Sequence, residues 1–363
     1  VLTSFIEAGE NATQDYLGQG GLRRRIRILC QLARTLNQVH AKGLLYGDLS
    51  TTNIFVSDDS KHAETWLIDC DNISLEANNG LTLHTVDYGA PEVVRGDSLL
   101  SSLTDCWSFA VIAYQLLTHN HPFKGNIVNE GEPEEEEAAL RGEYPWINDS
   151  TDFENECFAN LPIQLLEHSR LTELFSRCFE QGRVQPIERP SMAEWLEALS
   201  ETDERLVICK KCSGHTLLPQ DWQPDSDATC FFCDEAIDKN LVILKEFIVQ
   251  PEEEHSSTDS SAWVATGRFV VLQENESLEL KRLMPTFLYD HFPDEHIRIE
   301  YKENGFGIHP LPETEIHLQQ GGTNKRLEKY QGLRNEIRGK TNDPYWLHVG
   351  SITEQHILWQ FTW

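Results

Sequence analysis

The sequence predicts a multidomain α+β protein: a mainly helical lobe over residues 1–200, a small four-cysteine module over 201–240 and a β-rich domain over 241–363. Three observations carry this. Apolar residues recur at helical spacing through the first half of the chain, two C-x-x-C pairs stand at Cys209–Cys212 and Cys230–Cys233, and beyond Asn240 apolar and polar residues alternate. At 363 residues the chain has room for roughly two or three cores of ordinary size.

In the first part, Leu22, Ile26, Leu29, Leu32 or Ala33, Leu36 and Val39 mark one face of a helix that ends near Gly43, with Arg23, Arg24, Arg25 and Arg27 on the other face. Gly18-Gln19-Gly20-Gly21 precedes it as a linker or helix start. The runs 53–56 and 65–68 read as two strands joined by the polar Ser57 to Glu64. Asp105 to Thr118 is apolar nearly all round, the composition of a buried central helix. A further helix is expected over Leu161 to Phe179, and another opens at Ser191, where Ser191 and Glu194 have capping-box spacing. The acidic run Glu130 to Glu137 contains Gly131 and Pro133 and reads as a solvated loop.

Charge narrows the partners. With 59 acidic against 30 basic residues the net charge is −29, which repels phosphate backbones and anionic lipid, so neither nucleic acid nor a membrane is expected. No apolar run approaches the ~18 residues of a membrane helix, and no basic-then-apolar leader is visible at Val1, so a cytoplasmic protein is expected. The five cysteines outside the C-x-x-C pairs are scattered among apolar stretches and read as small buried hydrophobes.

Asp48 and Asn53, followed by Asp69 after an apolar strand, are polar groups at strand ends that can converge on a cleft. One carboxylate could orient a hydroxyl while an amide and a second carboxylate hold a divalent cation against a polyphosphate. The order of the neighbouring signals supports this over a mere turn. Tyr46-Gly47-Asp48-Leu49-Ser50-Thr51-Thr52-Asn53 resembles a kinase catalytic loop, Asp69-Cys70-Asp71 falls where D-F-G would be, and Ala90-Pro91-Glu92 matches A-P-E. Asp105-Cys106-Trp107-Ser108, His121-Pro122-Phe123-Lys124-Gly125 and Glu188-Arg189-Pro190 follow in the same order. Residues from about Gly21 to Leu199 thus resemble the C-terminal lobe of a eukaryotic-type serine/threonine protein kinase.

The resemblance implies Asp48 as catalytic base, Asn53 and Asp69 as ligands of Mg2+ and hence of ATP, and Glu92 with Arg189 as a structural ion pair. Asp105 would cap the backbone of the catalytic loop. Protein substrates or signalling partners, in a bacterial-style signalling or stress-response assembly, are implied with it. Gly47 stands where an arginine would read a phosphorylated loop, so phosphorylation at Ser74, Thr82 or Thr85 is not expected to be needed. Asp71 replaces a glycine, which makes the backbone there less permissive.

Only some twenty residues precede the first matching helix, too few for an ATP-binding lobe. The resemblance therefore leaves two expectations open: a fragment of a full kinase, or a natural half-kinase acting as a non-catalytic scaffold. The filled metal and base positions favour the first.

Cys209, Cys212, Cys230 and Cys233 form C-x-x-C pairs separated by 17 residues, the spacing of a zinc ribbon. Four thiolates leave no open position, so a structural Zn2+ is expected, with His215 as a weaker competing ligand. After a polar break at Glu252 to Ser261, the runs Arg268 to Leu272, His296 to Glu300 and His356 to Trp363 read as strands of a small β-sandwich. Its ending, from Trp346 onward, looks like the close of a forkhead-associated domain.

Overall fold

Residues 102–118 carry a single charged side chain, Asp105, and they form the helix round which the first half of the chain is built. The computed structural model describes residues 1–7, 11–76, 84–223, 226–249, 263–281, 295–311 and 314–363. Thr82 and the polar break 252–261 lie outside them. The described residues divide into two units, one of 1–203 with 212–217 and the other of 204–211 with 218–363.

The first unit contains helices α1 (Ala12–Gly18), α2 (Gly21–His40), α3 (Pro91–Val94), α4 (Ser102–Thr118), α5 (Asn126–Glu130), α6 (Pro133–Leu140), α7 (Leu171–Ser176), α8 (Gly182–Val184) and α9 (Met192–Glu204). Its short strands are β1 (Leu44–Leu45), β2 (Ile54–Val56), β3 (Thr65–Leu67) and β4 (Ser74–Leu75), while β5 (Leu206–Ile208) and β6 (His215–Leu217) come after α9. Every residue of α4 from Thr104 to Thr118 is buried, because the helix is apolar on all sides and must be enclosed by its neighbours. Ser101 and Thr104 close its N-terminus as a reciprocal capping box. On it rests an aromatic core in which Trp107 stacks on Phe123 at 5.3 Å and Tyr114 meets Phe175 edge-on at the same centroid distance.

Two expectations are corrected here. The acidic stretch Glu130 to Glu137 is helical over much of its length, in α5 and α6. Pro133 occupies the first position of α6, where its missing N–H costs nothing, and Glu134, Glu135 and Glu136 sit in the first turn, where the helix dipole favours carboxylates. The single helix expected over Leu161 to Phe179 is instead a 3-10 turn at Ile163–Leu166, then α7, then a π-helical turn at Arg177–Gln181. Ser169 breaks it, donating its hydroxyl to the Leu166 carbonyl at 2.7 Å while accepting from the Leu171 N–H at 3.3 Å. At α9 the Ser191–Glu194 box is formed in both directions, at 2.9 and 3.3 Å.

The second unit is dominated by antiparallel strands β7 (Leu241–Val249), β8 (Trp263–Gln273), β9 (Glu276–Lys281), β10 (Glu295–Lys302), β11 (Gly305–Pro310), β12 (Ile316–Gln320), β13 (Thr323–Arg326), β14 (Gln331–Arg334), β15 (Tyr345–Val349) and β16 (His356–Phe361). They make a six-stranded sheet in the order β13-β12-β15-β16-β7-β8 and a four-stranded sheet in the order β14-β11-β10-β9. Alternate residues of both, among them Ile297, Ile299 and Tyr301 of β10 and Ile357, Trp359 and Phe361 of β16, enter one shared core. Arg268 is buried between Glu204, which it meets at 2.9 Å through Nε, and Glu246 at 2.7 Å, and its guanidinium lies 5.0 Å from the centre of the Trp359 ring.

On the opposite face of the six-stranded sheet, His348 Nδ1 and His356 Nε2 lie 2.8 Å apart, and both side chains are fully buried. Burial, with the neighbouring His356, pushes His348 down to about 3, and burial lowers His356. Both rings are neutral in the folded protein at neutral pH, whereas the unfolded chain takes up protons below about 6.5. More protons on the unfolded state means that stability falls as pH falls. Unfolding of the second unit, followed by Trp fluorescence, is therefore expected to become easier from about pH 6.5 downward, by up to about 1.4 kcal/mol per pH unit for each ring. Replacing both histidines with Gln should flatten that part of the profile.

Candidate active site

The loop after β1 is held from below by one carboxylate. Asp105, buried near the start of α4, accepts from the Tyr46 N–H at 2.7 Å through Oδ2 and from the Gly47 N–H at 2.9 Å through Oδ1. His40, in the last turn of α2, contacts the same Oδ2 at 2.9 Å. Gly47 has φ +89°, and a Cβ there would come within 3.1 Å of Leu45 Cδ1, so the turn itself requires glycine in addition to lacking an arginine.

Above this turn the structure brings Asp48 and Asn53 together. Asn53 donates its amide to the Asp48 carbonyl at 2.9 Å and approaches Asp48 Oδ2 at 3.4 Å. With Nδ2 so engaged, Oδ1 is the atom Asn53 has left for a cation. The backbone ties this loop to the next strand: the Ile68 N–H donates to the Asn53 carbonyl at 3.0 Å, and the Tyr46 hydroxyl donates to the Ile68 carbonyl. Asp69 follows at once, in the left-handed region at φ 55° and ψ 57°. That conformation costs a non-glycine residue roughly 1 kcal/mol and is concentrated at functional sites. The strain falls on Asp69 and not on Asp71, which lies in a right-handed 3-10 turn at Cys70–Asn72 that any residue accepts.

One participant escaped the sequence reading. Thr85 donates both its N–H, at 3.1 Å, and its hydroxyl, at 2.6 Å, to Asp48 Oδ1. It figured there only as a hydroxyl open to modification, whereas the structure engages it with the carboxylate. The contact joins residues far apart in sequence, and the one local signal was its place shortly before Ala90-Pro91-Glu92. Nearby, Thr51 Oγ1 and the Tyr88 hydroxyl are 2.8 Å apart.

Glu92 and Arg189 meet in a buried bidentate pair, at 2.8 and 2.7 Å. Arg189 also donates to the carbonyls of Gly182 at 2.9 Å and Leu103 at 3.0 Å and lies 4.9 Å from the Trp107 ring centre, so all three nitrogens of the guanidinium are engaged.

The sulfurs of Cys209, Cys212, Cys230 and Cys233 all lie within 4.8 Å of one another. Cys209 and Cys233 are 3.7 Å apart, against about 3.8 Å for two thiolates at ~2.3 Å from one tetrahedral zinc. The donor set fits zinc. His215 is outside the group; its ring packs on Gly21, where a Cβ would be 3.0 Å from Nδ1.

A protein kinase domain model matches residues 13–199, just over half of the chain. The chain belongs to the protein kinase family. It is 31% identical over 112 residues to the serine/threonine-protein kinase pkn2 of Myxococcus xanthus, covering 29% of this chain and 13% of that protein. It is 26% identical over 193 residues to the serine/threonine-protein kinase PCRK1 of Arabidopsis thaliana, covering 50% of this chain and 43% of the relative. To human protein kinase C delta type it is 30% identical over 168 residues, 43% of this chain and 24% of the other. The chain thus spans less than half the length of each of these curated relatives.

Arg189→Met should strand the buried Glu92 carboxylate and cost about 3–5 kcal/mol of first-unit stability, read as a lowered denaturant midpoint. Glu92→Gln with Arg189→Met should recover part of that loss, since it removes the uncompensated charge.

Proposed function

We propose that residues 13–199 form the C-terminal lobe of a serine/threonine protein kinase that transfers the γ-phosphate of ATP to protein hydroxyls. The observation that carries this reading is Asp48: Thr85 donates twice to Oδ1 while Asn53 approaches Oδ2 only at 3.4 Å, so Oδ2 is the oxygen with capacity left to receive an incoming hydroxyl. A carboxylate fixed this way can orient the hydroxyl and accept its proton as phosphoryl transfer proceeds.

Among the described residues none donates a hydrogen bond to the Asp69 carboxylate, which suits it, with Asn53 Oδ1, to hold Mg2+. Bound there, Mg2+ with ATP would supply the transferable phosphoryl group and neutralise its charge. The cross-strand pair Phe55 and Trp66, 44% and 54% exposed, offers an apolar surface on β2 and β3 of the kind a base or a covering lobe would use. Protein substrates follow from the family. The four thiolates are read as a structural zinc site with no open position, and the two sheets that share a core as a small β-sandwich of the forkhead-associated kind.

In the context of its complete reading frame the protein should phosphorylate itself or a mixed peptide library with Mg·ATP. Asp48→Asn and Asp69→Ala should each reduce that transfer at least about a hundredfold. Transfer that survives Asp48→Asn, or none from the folded wild type, would exclude the enzymatic reading.

Metal analysis should find about one zinc per chain, lost with loosening of residues 201–240 in Cys209→Ser and Cys230→Ser, because metal binding is folding energy in so small a module. Reduced, freshly purified protein without zinc would refute the site.

A further inference from the structure

The segment that carries Thr85 is itself held in an unusual way. The Tyr88 N–H donates to the Thr85 carbonyl at 3.1 Å, closing a tight turn, and Asp87 stands in that turn at φ +78°. Aspartate adopts a left-handed conformation at a small cost that glycine does not bear, and contacts from outside the turn hold it there. Two residues from the stretch after α4 do so. Lys124 Nζ reaches Asp87 Oδ1 at 2.7 Å, and the His121 ring nitrogen Nε2 donates to the Asp87 carbonyl at 3.1 Å.

The supports are themselves anchored. Lys124 Nζ also meets Glu136 Oε1 of α6 at 2.8 Å, so the ammonium bridges the turn and the helix. His121 Nδ1 accepts from the Phe123 N–H at 3.1 Å, which leaves Nε2 as the protonated nitrogen facing Asp87. Phe123 is buried against Trp107, so this end of the chain of contacts is fixed in the core. Burial and the nearby ammonium push His121 down to about 4, which keeps the ring neutral and the arrangement intact at physiological pH.

We propose that Lys124 is a positioning residue for Asp48: it fixes the Asp87 turn to α6 and so holds the Thr85 N–H and hydroxyl against Asp48 Oδ1. Lys124 touches no reacting atom; it acts through Asp87 and Thr85. Its catalytic consequence rests on the kinase reading, but the geometric claim does not.

The two are tested separately. In the 363-residue chain, hydrogen exchange at the Thr85 amide reports the bond to Asp48 directly and needs no activity. Lys124→Met and Asp87→Asn should speed that exchange about tenfold or more, while the Tyr46 and Gly47 amides, held by Asp105, keep their protection. Asn tolerates the left-handed turn better than most residues, so Asp87→Asn removes the charge without adding strain. Lys124→Arg should restore most of the protection, and it carries the test with Asp87→Asn if Lys124→Met fails to fold. Unchanged Thr85 exchange in folded Lys124→Met and Asp87→Asn would overturn the proposal. In the active protein Lys124→Met should lower kcat about tenfold with KM for ATP unchanged, since misplacement of the base affects the step and not nucleotide binding. Loss of Thr85 protection with no change in kcat, in a protein that Asp48→Asn does inactivate, would refute the catalytic role of Lys124. Insensitivity to Asp48→Asn would count against the kinase reading instead.

Discussion

A single buried carboxylate sets the geometry on which the rest of the site is built. Asp105 lies inside a helix that has no polar face to offer water, and its two oxygens are satisfied by the Tyr46 and Gly47 N–H groups and by His40. An ionised group in such surroundings tolerates little displacement of its partners, because each lost donor leaves charge uncompensated in a region of low dielectric. The turn before Asp48 is thereby referenced to the buried central helix of the unit. Asn53, Ile68 and Asp69 are then placed relative to Asp48 by backbone and amide hydrogen bonds, and Thr85 closes over the top.

The two units differ in how they handle charge. In the first, buried ions serve to fix loops against helices: Asp105 beneath the catalytic-type loop, Arg189 with Glu92 beneath the short helix that follows Ala90. In the second, Arg268 of β8 ties Glu246 of the neighbouring strand β7 to Glu204 at the end of α9, within a unit whose shared core is otherwise aliphatic and aromatic. Both arrangements are bidentate or branched, which gives direction as well as attraction. The large negative net charge is carried outside them, at the surface.

Helices with a clear period or an uninterrupted apolar composition, α2 and α4, were legible in the sequence, and so was the Ser191–Glu194 cap, because each depends on residues a few positions apart. The strand pairs 54–56 and 65–67 were legible for the same reason. Glu130 to Glu137 was misjudged since charge density suggested a loop, while Pro133 and the first-turn carboxylates of α6 favour a helix start. Ser169 broke a periodic run by a side-chain bond that periodicity does not register. Asp48, Asn53 and Asp69 were visible as a pattern of residue types. Thr85 and Lys124 were not, because what makes them matter is a contact with a residue that only the fold brings near.

The engagement of Thr85 also changes what modification of that hydroxyl would mean. In a loop with an arginine waiting for it, an added phosphate brings order. Here the same oxygen is a donor to a carboxylate at 2.6 Å, and a phosphoryl group in its place would remove the donor and set a dianion beside Asp48. Like charges at that separation repel, so the loop would be driven from the carboxylate it now covers. On the kinase reading proposed above, esterification of this hydroxyl would silence the site, the reverse of the licensing role that a phosphorylated loop residue plays where a basic partner receives it.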